Sequence, residues 1–305
     1  MAARQAQRAA AEGARLLVLP ELFNTGYVYA PRLAAAAEDE NGPTLAWFQA
    51  QSAGLGLTLA GSLLLRHGGR IYDAFVLAEP DGRLHQYRKR HPFLWEHGYF
   101  KAGAAPIIAE TALGRLGLLI GWDAAHPSAW AGYAGRVDAV LAASAAPRFH
   151  RAVLNFPGAH KAYLSQLLPA LLRQRDILDG LFTTHLAACA AALGVPVIHA
   201  GMAGRFVTQV PHPRLSLLAA AWRRPRYWPL ARQAPQASLR ASFYGGTAIY
   251  DGTGAPLAHV DDEEGLVVAD VELGAGGPQA RLPAPGVRLP GEVKVLDAVL
   301  RVLGP

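Results

Sequence analysis

Cysteine is almost absent: the 305 residues hold one, Cys189. A lone thiol excludes an internal disulfide, and a reducing cytoplasm is the compartment that fits. Charge is also sparse, 17% of residues against 51% apolar, which excludes a disordered chain and leaves ample material for a core. No apolar run reaches the length needed to span a bilayer, so no membrane partner is expected. The opening stretch MAARQAQRAAAEGARLL has no separate apolar core followed by a cleavage site; it reads as a helix over about 2–12 and not as a signal peptide. Internal repeats and a clear linker are missing, so one domain over 1–305 is expected. His150, His160, His185 and His199 show no tight ligand spacing, so neither a metal nor another cofactor is expected.

Arginine is what the chain has in excess. The net charge is +6 and the pI about 9.6, which permits an acidic partner. The densest basic stretch, WRRPRYWPLAR, sets Arg223, Arg224, Arg226 and Arg232 among Trp222, Tyr227 and Trp228. Pro225 and Pro229 break any continuous helix there, and the stretch reads as a solvated loop or an oligomer contact, not as a surface for nucleic acid.

Apolar runs and helical stretches alternate, the pattern of an α/β fold. Strands are expected at 14–21, 57–66, 71–82, 114–123, 137–146, 195–201 and 265–273. A hairpin over 243–260 should turn at Asp251-Gly252, and Asp81-Gly82 marks another turn. Residues 161–193 keep apolar positions at helical spacing, with Pro169 expected to kink or divide the helix. The Gly/Pro-rich tail from about 274 to 293 is expected to be irregular.

Three segments in order carry the chemistry. VLPELFNTGY holds Glu21; YRKRHPFLWEHGYF holds Lys89 and Glu96; LGLLIGWDAAHPS runs an apolar strand into a sharp turn at Gly121. Acid, lysine and strand-to-turn elbow in this order resemble the nitrilase (carbon–nitrogen hydrolase) superfamily. GSLLL followed by YDAF resembles that family's G-S…Y-N segment, and FYGGTAIYDGTG its G-x-S-x-I-x-D-x-x-G hairpin. The resemblance covers about residues 10–275. It implies a four-layer α-β-β-α sandwich, usually paired into at least a homodimer. It also implies a strand ahead of the first helix, which this chain lacks. A sheet short of a strand exposes unpaired backbone, so a truncated or wrongly assigned start, or another segment filling the gap, is expected.

In that family the elbow residue is a cysteine, within C-W/Y-D-x-x-x-P. Here Gly121, Trp122, Asp123 and Pro127 occupy the pattern. A thiol attacking an amide or nitrile carbon needs a base for its proton, a cation or N–H donors for the developing charge, and a second acid/base for the leaving group. The resemblance implies Glu21 as base, Lys89 as electrostatic stabiliser, the Trp122 N–H as a further donor, and Glu96 as a positioning and proton-transfer group. Taken singly, each has an ordinary explanation: a Pro-Glu at a strand end is usually a surface residue, a lysine between Arg88 and Arg90 is usually solvated, and glycine is the default for a tight turn. Together they are expected to line one pocket.

Glycine offers neither sulfur nor oxygen, and loss of a covalent nucleophile costs on the order of 10⁶ in turnover. Cys189, among the small apolar residues of HLAACAAALG, reads as a packed structural thiol and not a replacement. His126 reads as pocket wall, Asp123 as a group holding the turn, and Ser128 falls where many relatives carry Glu. The expectation is a hydrolase scaffold for a small amide, nitrile or carboxylate, inactive as written; the alternative is a non-catalytic small-molecule-binding or regulatory protein that keeps the Glu-Lys pocket.

Overall fold

The computed structural model describes residues 1–261, 263–274 and 291–303. Its first sheet runs in the spatial order β1 (Leu16–Val18), β2 (Thr58–His67), β3 (Arg70–Ala78) and β4 (Leu84–Arg88). β2 and β3 pair antiparallel from Leu59↔Ala78 to His67↔Arg70, and the turn between them uses Gly68 and Gly69, both at positive φ. The chain then enters a second sheet with β5 (Ile108–Thr111), β6 (Gly114–Ile120) and β7 (Ala139–Ser144). β8 (Val153–Asn155) and β9 (Lys161–Tyr163) begin a small third sheet, and β10 (Val197–Gly201) returns to the second. β11 (Arg205–Gln209) and β12 (Ser238–Ser242) complete the third; β13 (Thr247–Tyr250) and β14 (Pro256–Val260) complete the second. The second sheet has the order β14-β13-β10-β7-β6-β5.

The period of two along the strands sorts side chains into layers. Leu59, Leu63, Leu65, Ala74 and Val76 point outward and pack on the helices Ala2–Ala11 and Pro43–Leu55 through Ala6, Ala9, Leu45 and Phe48. Ala60, Phe75, Leu77 and Tyr87 point inward, where they meet Leu116, Leu118, Ile120, Leu141 and Ala143 of the second sheet. The outer face of that sheet, with Leu119, Val140 and Ala142, is covered by Trp130, Leu186 and Cys189 from the helices Pro127–Ala131 and Thr184–Leu193. The result is the four-layer α-β-β-α sandwich expected from the sequence.

Three expectations need correction. Residues 161–193 do not form one helix: Lys161–Tyr163 is drawn into the third sheet against β8, and short helices at Leu164–Leu167, Ala170–Arg173 and Arg175–Asp179 precede Thr184–Leu193. Pro169 cannot donate to the helix ladder, and Gln174 and Thr183 leave helical geometry. Residues 265–273 pair with no strand among the described residues; Leu266 packs on the outer core while Val268 and Leu273 stay exposed. Of the tail expected to be irregular, 275–290 lies outside the described residues, and Gly291–Leu303 is a helix.

β1 pairs in parallel with β2, and among the described residues no strand pairs with its other edge. Residues Leu16–Leu19, Ile198–Ala203 and Glu263–Val267 line a groove of ≈ 260 Å³ there. The third sheet and the last helix build a separate aromatic core around Tyr29, Trp95, Phe149 and Phe206, which buttresses the loops at the ends of β4 and β7.

Leu141 sits fully buried between the two large sheets, so Leu141→Ala should lower stability by about 2–5 kcal/mol. Urea denaturation measures this; a loss under about 1 kcal/mol would mean the sheets are not closely packed there.

Candidate active site

Four strand ends converge on one rim of the sandwich. Glu21 follows β1, Lys89 follows β4 directly, Gly121 follows β6, and Ala145 follows β7. Glu96 reaches the same point from a short 3₁₀ helix, Leu94–Gly98. Leu22, directly after Glu21, and Leu94, two residues before Glu96, hold positive φ, a conformation that non-glycine residues keep only where the surroundings impose it. The Leu22 N–H donates to Ser62 Oγ at 2.9 Å and the Leu94 N–H to Asp297 Oδ1 at 2.9 Å.

At the centre Lys89 Nζ donates to Glu21 Oε1 and to Glu96 Oε1, each at 2.7 Å. All three side chains are almost wholly buried, Lys89 at 1% exposure. Burial by itself would lower the Lys89 pKa; Glu21, Glu96 and Asp73 outweigh it and hold the ammonium well above its usual value. Each carboxylate is also anchored. Glu21 Oε2 accepts the Ala145 N–H at 2.6 Å. Glu96 Oε2 accepts the Phe93 N–H at 2.7 Å, and its Oε1 also accepts the Tyr27 hydroxyl. Burial, followed by Glu96, pushes the Tyr27 phenol far up, so it remains a donor.

Sequence reading missed Asp73. It lies in YDAF, in the segment likened to a G-S…Y-N pattern, and its carboxyl group replaces the amide of that pattern. It is fully buried; Ser62 Oγ donates to its Oδ1 at 2.7 Å, and its Oδ2 has no partner. Glu21 and Glu96 each accept the lysine and a backbone N–H, whereas Asp73 accepts one hydroxyl. Asp73 thus has fewer donors than either glutamate in a cluster of three carboxyl groups and one ammonium. Burial and then the Glu21 charge push Asp73 well above the usual carboxylate range, and burial raises Glu96 above its usual range as well. The signal in the sequence was an acid inside an otherwise apolar strand.

Gly121 opens the 3₁₀ turn Gly121–Ala125 with φ +48°. A Cβ built there would lie 2.8 and 3.0 Å from the two carboxylate oxygens of Glu21 and 3.0 Å from Lys89 Nζ. Position 121 thus aims at the acid and the cation at once. Trp122, next along, stacks on Phe93 with centroids 4.2 Å apart, and its N–H is in the first turn, where it has no acceptor within the helix. Asp123 holds the elbow: it is fully buried and accepts the Ile120, Arg90 and His91 N–H groups and the Tyr87 hydroxyl.

Glu21, Lys89, Glu96, Gly121 and Trp122 all line one narrow cavity of ≈ 50 Å³, room for a few water-sized groups. His126 does not reach it. That ring stacks on His91 at 3.8 Å in a neighbouring cavity, and burial pulls its pKa down to about 4. Cys189 is fully buried, lines none of this cavity, and burial pushes its thiol up to about 12. Ser128 contributes only its carbonyl, to Arg90. Among the described residues no three His, Cys, Asp or Glu side chains form a metal-holding group.

An α-β-β-α sandwich with an acid–lysine–acid cluster at its strand ends defines the class: the chain belongs to the carbon–nitrogen hydrolase family, whose pattern it matches over residues 2–158, the stretch that contains all the cluster residues. In sequence it is similar to omega-amidase YafV of Escherichia coli K12, 32% identical over 117 residues, covering 38% of this chain and 44% of that one. It is also similar to 2-oxoglutaramate amidase of Bacillus subtilis, 34% identical over 95 residues, 30% of this chain and 36% of the other. The chain thus spans less than half the length of these relatives. In fold it is similar to an amidase from Nesterenkonia sp. (TM-score 0.61, 20% identity, 87% of this chain and 82% of that one). A CN-hydrolase superfamily protein from Xanthomonas campestris is alike at TM-score 0.58 and 22% identity, with the same coverage.

Two outcomes follow from the cluster. Lys89→Met leaves two buried carboxylates facing each other without a cation and should cost about 3–5 kcal/mol, read by denaturant unfolding; near-neutral stability would mean the cluster is not closed in solution. Asp73 has a raised folded pKa, so its contribution is complete below the unfolded carboxylate range and is lost as pH rises toward the folded value. Asp73→Asn removes that loss while keeping an acceptor for Ser62, and its melting temperature should climb relative to the parent as pH goes from about 4 into the neutral range. A variant that instead falls further below the parent with rising pH would mean Asp73 is ionised and paired with Lys89.

Proposed function

We propose that this chain is a carbon–nitrogen hydrolase scaffold of the amidase type whose site binds a small amide or nitrile and leaves it uncleaved, because Gly121 occupies the position from which the substrate carbon would be attacked. The observation that carries this reading is the aim of position 121: a side chain there meets both the Glu21 carboxylate and the Lys89 ammonium. In the proposed division of labour Glu21 accepts the nucleophile's proton, Lys89 and the Trp122 N–H stabilise charge developing on the substrate oxygen or nitrogen, and Glu96 fixes Lys89 and assists transfer to the leaving group. Without sulfur or oxygen at 121, binding remains and the covalent step does not. The amidase from Nesterenkonia supports this picture of retained binding: its mutant with the cysteine changed to alanine has been solved in complex with butyramide.

A second reading, a binding or regulatory protein with no hydrolytic step to restore, is favoured by how closely Glu21 and Lys89 approach position 121. Both are nearer than ordinary contact to a Cβ, and Glu21 is tethered by Ala145 and Lys89.

Installing the thiol separates the two. Gly121→Cys must hold a left-handed backbone, a cost of about 1–2 kcal/mol, and must displace the Glu21 carboxylate slightly. Under the first reading the folded variant releases ammonia from a panel of amides and nitriles, while the chain as written and Gly121→Ala do not. A folded Gly121→Cys protein that is silent on the panel supports the binding role, and ammonia release by the chain as written contradicts both.

A further inference from the structure

The mouth of the cavity has a composition that the hydrolytic cluster does not require. Beyond Glu21, Lys89 and Glu96 its walls are made by Phe149, Leu171, Leu178, Phe182, Tyr244 and other apolar side chains, with Gln174 as a neutral polar group. Among the described residues no arginine, and no lysine other than Lys89, lines it. Lys89 is already committed at 2.7 Å to two carboxylates, with Asp73 as a third acid behind it. Arg148 is not among the lining residues; its guanidinium lies over the Tyr244 ring at 5.2 Å and donates to the Tyr244 carbonyl at 3.2 Å.

A ligand carboxylate entering this space would lose water, find no uncommitted cation among the described lining residues, and add a negative charge to a cluster already rich in acids. Burying an ion on those terms is strongly unfavourable. An alkyl or aryl group entering the same space is desolvated against apolar walls, which is favourable. The walls at Leu171, Leu178, Phe182 and Tyr244 also lie beyond residue 158, outside the stretch that matches the family. They stand on the broken helices between 164 and 179, on the turn ahead of Thr184–Leu193 and on the segment following β12.

Resting on the proposed amide-binding reading, we infer that the ligand is an uncharged amide or nitrile with an apolar acyl group, and that the site rejects ω-amides carrying a free carboxylate. This sets the chain apart from the relatives named for ω-amides and for 2-oxoglutaramate. Because Gly121 leaves the amide intact, the selectivity is readable as equilibrium binding.

The test uses ligands that differ in one terminal group. Pentanamide and glutaramic acid share the same chain and the same amide; a methyl in the first is a carboxylate in the second. Calorimetric titration of the chain as written at neutral pH should show affinity rising from acetamide to pentanamide, and pentanamide binding roughly tenfold or more tighter than glutaramate. Gln174→Arg, which puts a cation on the wall, should bring glutaramate binding up to or beyond that of pentanamide. Glutaramate binding as tight as pentanamide in the unmodified chain would overturn the inference and leave the amide reading in place. No binding of either, in protein shown to be folded, would overturn the amide reading and this inference with it.

Discussion

The buried ammonium of Lys89 is the constraint on which the site depends. An isolated lysine at that depth would shed its proton or draw in water. This one is held by two carboxylates at 2.7 Å, each in turn held by a backbone N–H. Those N–H groups belong to Ala145 at the end of β7 and to Phe93 ahead of a 3₁₀ turn, so the ion cluster ties together loops that share no sequence proximity. A third carboxyl group, Asp73, adds an acid whose pKa burial and the Glu21 charge push well above the usual carboxylate range. The sandwich supplies the rigid strand ends, and the cluster fixes how their loops meet.

Position 121 takes its meaning from this arrangement. In another setting a glycine at positive φ after a strand would be a tight turn and nothing more. Here its missing side chain would contact the Glu21 carboxylate and the Lys89 ammonium together. That juxtaposition is what the proposed amide-binding role, with no covalent step, rests on. The apolar walls then decide what such a site can hold.

Much of this was legible in the sequence, for physical reasons that differ by element. The buried strands of both large sheets announce themselves as short apolar runs, and β2, β3, β6, β7 and β10 fall where expected. Glu21, Lys89, Glu96 and Gly121 were found through their order along the chain, since each alone resembles an ordinary surface or turn residue. Residues 161–193 misled because helical spacing of apolar residues is local, while pairing of Lys161–Tyr163 with β8 is not. Strand 265–273 failed for the converse reason: its alternation suits a ladder, but no described strand lies beside it. The third sheet, with strands of three to five residues, is too short to carry a periodic signal. Asp73 was hidden because an acid in a strand has no meaning until its neighbours are known.

The most direct test of the central claim asks whether position 121 is the point at which this site activates a nucleophile. Gly121→Cys protein would be treated with acrylamide at neutral pH and followed by intact-mass and peptide mapping, with the buried Cys189 as internal control; a glutamate-to-glutamine mutant of the amidase from Nesterenkonia has been solved with acrylamide added at its active-site cysteine. The account predicts a single adduct, on the introduced thiol, formed markedly more slowly when Glu21→Gln is added. No adduct at 121 in folded protein, or a rate indifferent to Glu21, would contradict it.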